Sequence, residues 1–114
     1  MSRDPAILLD IAAAARRVMH FVHNVDQSTF LADEQKCWAV YSQIIIIGEA
    51  VRRLSPEFQA ANPQIPWPLI VGMRNRLIHA YDQVNWQRVW QTVAQDIPTL
   101  LTSIEPLLPS PDTP

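Results

Sequence analysis

The chain has 114 residues, is 48% hydrophobic and carries a net charge of -2, enough for one compact domain but not for a protein that coats nucleic acid by charge alone. Its single cysteine, Cys37, excludes an internal disulfide and a Cys/His zinc constellation, and only Gly48 and Gly72 are glycines, too few for hairpins or a Gly-rich phosphate loop. No apolar run is long enough for a bilayer and Met1-Ser2-Arg3-Asp4-Pro5 leads straight into an amphipathic pattern, so an all-α cytoplasmic domain without a membrane partner is expected.

Asp4-Pro5 reads as an N-cap with a first-turn proline, opening a helix to about Asn24 whose apolar positions include Ile7, Leu8, Ile11, Ala15, Val18 and Val22. Asp26-Gln27-Ser28-Thr29 reads as a turn. A second long helix is expected from about Asp33 to Leu54, buried through Trp38, Tyr41, Ile44, Ile45, Gly48, Val51 and Leu54. The run Ile44 to Ile47 suits a buried strand as well, yet its helix-forming flanks and the lack of any partner strand favour helix.

Ser55-Pro56-Glu57 starts a short helix to about Ala61. The stretch from Asn62 to Pro68 is a proline-stiffened connector, because proline fixes its own φ and restricts the residue before it. The next helix runs from Trp67 or Pro68 to Ala80. Asn85 then caps a last helix through Ile104, kinked at Pro98, and the proline-rich tail from 106 to 114 is expected to fray. The expectation is therefore an antiparallel up-and-down bundle of four main helices plus a short one, spanning residues 1–105.

The octet Arg74-Asn75-Arg76-Leu77-Ile78-His79-Ala80-Tyr81 concentrates a guanidinium, an amide, an imidazole and a phenol on two turns of helix. On a helical wheel Pro66, Leu69, Ile70, Met73, Leu77 and Ala80 form one stripe expected to face the core. Asn75 and His79 stack on nearly the opposite side, Arg74 and Tyr81 lie near an edge of the stripe, and Ile78 is expected to be exposed. An isoleucine on the polar side implies a partner chain there, hence a homodimer with this helix at the seam. Arg74 and His79 diverge by about 140° on the wheel, so a shared dimer cleft is where two such pairs meet. Such a cleft suffices for RNA cleavage without a metal: a neutral imidazole takes the 2′-hydroxyl proton and arginine stabilises the phosphorane-like charge. The products expected are a 2′,3′-cyclic phosphate and a 5′-hydroxyl, with Asn75 orienting His79 or its backbone surroundings.

The octet resembles the R-x4-6-H signature of HEPN domains, in the R-N-x-x-x-H-x-Y form of the HepT-like family. The resemblance extends to Phe30-Leu31-Ala32-Asp33, Ile47-Gly48-Glu49-Ala50, Ile65-Pro66-Trp67 and Val84-Asn85-Trp86. It implies a homodimeric helical bundle, the HEPN fold, acting as a metal-independent endoribonuclease toxin, encoded beside a minimal nucleotidyltransferase antitoxin. Arg74 and His79 match the catalytic positions and Asn75 the accompanying polar one. The antitoxin of that family transfers adenylyl groups from ATP to the motif tyrosine, here Tyr81; the toxin chain itself needs no cofactor. A phosphate and nucleoside on Tyr81, beside His79, compete with RNA for Arg74.

Arg76, Arg52 and Arg53 are candidate RNA contacts, each also readable as a solvated or dipole-favoured cation. Glu49, inside an apolar helix, is expected to pair with Arg74 or Arg53. His20 and His23 lack a placed third ligand and read as surface residues, and the tryptophans read as core or seam. A second reading of the chain is a non-catalytic helical dimer that binds a nucleotidyltransferase or a nucleotide; a third is a purely structural bundle.

Overall fold

In the computed structural model, residues 2–110 are described. They form helices α1 (Asp4–Phe21), α2 (Gln27–Ala32), α3 (Glu34–Arg53), α4 (Pro56–Ala61), α5 (Trp67–His79), α6 (Trp86–Gln91) and α7 (Ile97–Ile104), and no strand occurs among them. A π-helical turn, Thr92–Asp96, joins α6 to α7, and a 3-10 turn, Glu105–Leu107, follows. The last expected helix is thus α6, the π turn and α7 in succession. Pro98, at the start of α7, cannot donate to the preceding turn, and the wider π turn just before it is where the ladder adjusts.

Side chains pin neighbouring helices antiparallel. At one end of α1 the Asp4 carboxylate accepts from the Ser55 backbone N–H at 2.9 Å and from the Ser55 hydroxyl at 2.7 Å, beyond the far end of α3. At the other end, Lys36 Nζ donates to the Phe21 carbonyl at 2.9 Å. Between these pins Ala12, Ala14, Ala15 and Val18 of α1 and Val40, Ile44 and Ile47 of α3 are fully buried. Each large aliphatic among them contributes about 1.5–3 kcal/mol on burial, so the Ile44 to Ile47 run is helix that buries Ile44 and Ile47 and leaves Ile46 exposed.

Two local expectations are corrected. Asp4 is not the cap of α1: Arg3 holds the N-cap position without a side-chain bond, and Asp4 spends both carboxylate oxygens on Ser55. Ser55 in turn caps α4, its hydroxyl accepting from Phe58 N at 3.1 Å. The segment from Asp26 to Thr29 is not a plain turn but the start of α2, capped by the Asp26 carboxylate accepting from Thr29 N at 2.9 Å. The fully buried Phe30, 5.2 Å from the Trp90 ring, anchors that short helix to α6. Past Glu105, Leu107 and Leu108 pack on the core, so order continues beyond the expected start of the tail at 106. Positions 111–114 of that tail lie outside the described residues.

The connector into α5 works by alternation. Ile65 and Trp67 are buried while Pro66 between them is exposed, and Trp67 Nε1 donates to the Asn62 carbonyl at 3.0 Å. This fixes where α5 begins and therefore which of its residues meet α3.

Candidate active site

Helix α5 lies against α3 with Gly48 facing Arg74. A Cβ at Gly48 would overlap the Cβ of Arg74 and stand 2.7 Å from its Cγ. Glycine in a helix interior is otherwise unfavourable, and its use here lets the Arg74 stem lie flat on α3. The Arg74 side chain is only 19% exposed. Its guanidinium is held at both ends, Nη2 to Glu49 Oε2 at 2.8 Å and Nη1 to Asn75 Oδ1 at 2.8 Å, while Nε is buried without a hydrogen-bond partner among the described residues. Of the two partners expected for Glu49, Arg74 is the one found; Arg53 instead reaches Asp10 of α1 at 3.9 Å.

That packing rotates α5 from the expected face. Ile70, Met73 and Leu77 of the expected stripe do pack on the core, but Leu69 is 69% exposed and Pro66 and Ala80 are exposed, so that half of the stripe does not face it. The covered face runs instead through Trp67, Ile70, Arg74 and Leu77, because Gly48 admits an arginine stem where hydropathy alone puts the boundary. Ile78, expected to be exposed, is partly covered.

His79 is the last residue of α5 and is exposed, with no side-chain hydrogen bond among the described residues. The Asn75 amide oxygen is engaged by Arg74 and not by His79, so Asn75 orients the guanidinium. Among the described residues no hydrogen bond joins Arg74 to His79. Tyr81 follows the helix and is 67% exposed. Arg76 is exposed on α5. Arg52 joins the site through the shared carboxylate, Nη1 to Glu49 Oε2 at 3.3 Å, whereas Arg53 is turned toward α1.

Sequence reasoning missed what braces the His79 end. The Tyr41 hydroxyl donates at 2.9 Å to the Leu77 carbonyl, one of the terminal carbonyls α5 leaves unpaired. Its ring meets Trp38 edge-on at 5.0 Å, and Trp38 meets Trp86 at 4.9 Å, so three rings from α3 and α6 back the terminus. The signal available was Tyr41 lying seven residues before Gly48 on one helix face. His20 and His23 are exposed, and no metal-holding group of His, Cys, Asp or Glu occurs among the described residues. No helix there is long and apolar enough to cross a membrane.

An all-α bundle whose fifth helix carries a braced arginine and an exposed terminal histidine defines the class. The sequence model of the family described as Ribonuclease HepT-like matches residues 11–107, and the chain belongs to that family. It is 38% identical over 100 residues to "Probable ribonuclease HepT" of Thermococcus cleftensis, covering 88% of this chain and 91% of that one. It is 34% identical over 100 residues to "Putative RNase MJ1380" of Methanocaldococcus jannaschii, covering 88% and 92%. A third relative, "Putative RNase TTE0752" of Caldanaerobacter subterraneus subsp. tengcongensis, is 36% identical over 87 residues, covering 76% and 78%. No solved structure is a significant match.

Proposed function

We propose that this chain is a metal-independent endoribonuclease, the toxin of a toxin-antitoxin pair, acting through Arg74 and His79 in the cleft of a homodimer. The single observation that carries the reading is the guanidinium of Arg74, fixed by Glu49 and Asn75 on the helix that ends in an exposed His79. A guanidinium held in place before substrate arrives stabilises transition-state charge without reorganising. The relatives named as ribonucleases support the same class of chemistry.

His79 in its neutral form takes the proton of the 2′-hydroxyl, and the 2′-oxygen attacks the adjacent phosphorus. Arg74 stabilises the equatorial oxygens of the phosphorane-like state. The P–O5′ bond breaks, leaving a 2′,3′-cyclic phosphate, and the departing 5′-oxygen takes up the proton that His79 received from the 2′-hydroxyl. The two-fold cleft resolves the divergence of Arg74 and His79 within one chain. Exposed Leu69 on α5 and Ile46 on α3 support burial of this side against a second copy. Arg76 and Arg52 extend the phosphate track; Arg53, paired with Asp10, is the weakest of these candidates.

Control falls to Tyr81. A minimal nucleotidyltransferase antitoxin transfers an adenylyl group from ATP to its phenol, and the exposure of Tyr81 at 67% suits that access. The added phosphate competes with RNA for Arg74.

Cleavage of a single-stranded RNA tests the catalytic part: His79→Ala and Arg74→Ala each lower it by about a hundredfold or more, and equal cleavage by either variant and the parent refutes it. Mixing the two inactive variants tests the cleft, since one site of a mixed dimer regains both groups; no recovery with dimers verified places the site in a single chain. Incubation with the partner nucleotidyltransferase and ATP adds the mass of an adenylyl group to the Tyr81 peptide, and no added mass removes that step.

A further inference from the structure

The register between α3 and α5 sets three residues around one guanidinium. Gly48 provides the space for the Arg74 stem, and the next residue, Glu49, reaches its Nη2 at 2.8 Å. Asn75 takes Nη1 at 2.8 Å. The buried Nε has no hydrogen-bond partner among the described residues, and a buried donor left unpaired disfavours the conformer that buries it. The two bonds at the Nη atoms hold that conformer in place.

The Glu49 carboxylate is 46% exposed. An ion pair with so much solvent around one partner adds little to folding stability, so its value lies in where it holds the arginine. Holding Arg74 by Glu49 and Asn75 occupies one hydrogen on each Nη and leaves one on each free. A guanidinium with a donor left on each Nη is suited to a phosphate's paired oxygens. A carboxylate beside a phosphate site repels the incoming anion, and Arg52, 3.3 Å from the same Oε2, offsets that charge.

We infer that Glu49 is the positioning residue of Arg74, fixing its guanidinium so that the remaining Nη hydrogens are presented to an RNA phosphate. This deepens the ribonuclease reading and rests on it for the identity of the phosphate. Glu49 itself does not touch the substrate.

The test compares the full-length parent with Glu49→Ala and Glu49→Gln in two readouts. In RNA cleavage, Glu49→Ala lowers kcat by roughly tenfold or more with KM changed by less than about twofold, because a misplaced group loses transition-state stabilisation rather than binding. Glu49→Gln, which keeps an acceptor oxygen, recovers most of the loss. In NMR of the side-chain guanidinium, the Arg74 Nη protons are resolved by restricted rotation in the parent and in Glu49→Gln, and merge in Glu49→Ala. A Glu49→Ala variant that cleaves as fast as the parent or faster overturns the inference, as do Arg74 signals that do not change. Should the parent itself not cleave RNA, the ribonuclease reading fails separately, while the NMR comparison still decides whether Glu49 holds Arg74.

Discussion

Arg74 occupies the space that a side chain at Gly48 would need: a Cβ there would overlap Arg74 Cβ and come within 2.7 Å of its Cγ. The contact links a backbone choice on α3 to the chemistry on α5. Gly48→Ala forces α3 and α5 apart and destabilises by about 1–3 kcal/mol, read as a lower urea midpoint. Alanine ordinarily stabilises a helix relative to glycine, so the sign alone is informative. Arg74→Ala does not rescue Gly48→Ala, because the clashing Cβ remains.

Tyr41→Phe removes the hydroxyl that satisfies the Leu77 carbonyl and leaves the ring contacts with Trp38 and Trp86 in place. The expected loss is about 0.5–1.5 kcal/mol of stability, measured by denaturant unfolding. Faster amide exchange in the last turn of α5 than in α1 localises the effect to the His79 end.

The pin between Asp4 and Ser55 makes stability depend on acid. Bonds from the Ser55 hydroxyl first, then the Ser55 backbone, hold the Asp4 carboxyl below the usual carboxylate range, against the opposing effect of burial. A group whose folded pKa is depressed adds stability above its unfolded value of about 3.9. That stability is lost as pH falls through the lower folded value. Unfolding midpoints therefore drop for the parent below about pH 4, and Asp4→Asn, already weaker at neutral pH, shows a shallower drop.

Cys37 lies at the other end of the same bundle, buried, its thiol donating to the Phe30 carbonyl at 3.2 Å. Burial first, then the carboxylates of Asp33 and Glu34, push this thiol up from its ordinary value. A raised folded pKa means the contribution is intact below the unfolded value of about 8.5 and is lost as pH rises through the folded one. The native chain reacts with an alkylating reagent at neutral pH far more slowly than the urea-unfolded chain; equal rates contradict this placement.

Much of the architecture was legible in the sequence because it follows from periodicity and punctuation. Ser55 and Asn85 are side-chain caps as read, each accepting from the backbone N–H three residues on, and Asp33, read only as the start of its helix, caps α3 in the same way. Asp4 misled because its Asp-Pro pattern also serves a long-range bond to Ser55, which no local rule foresees. Half of the expected face of α5, Ile70, Met73 and Leu77, packs on the core, and the other half was misjudged for a related reason. A wheel ranks Leu69 as core and Arg74 as boundary, yet the space opened by Gly48 on another helix reverses them. The pairing of Glu49 with Arg74 was within reach of the sequence; the choice of Asn75 for Arg74 over His79, and the brace from Tyr41, depended on helix register that spacing does not carry.

Cleavage of RNA by internal transfer at Arg74 and His79, as proposed, leaves its signature in the products. The most direct measurement is the chemistry of the new ends when purified parent and His79→Ala are given one end-labelled RNA in the presence of a chelator. Fragments ending in 2′,3′-cyclic phosphate and 5′-hydroxyl are expected from the parent, with about a hundredfold or more slower release from His79→Ala. Undiminished cleavage by His79→Ala, or fragments carrying a 5′-phosphate, would contradict it.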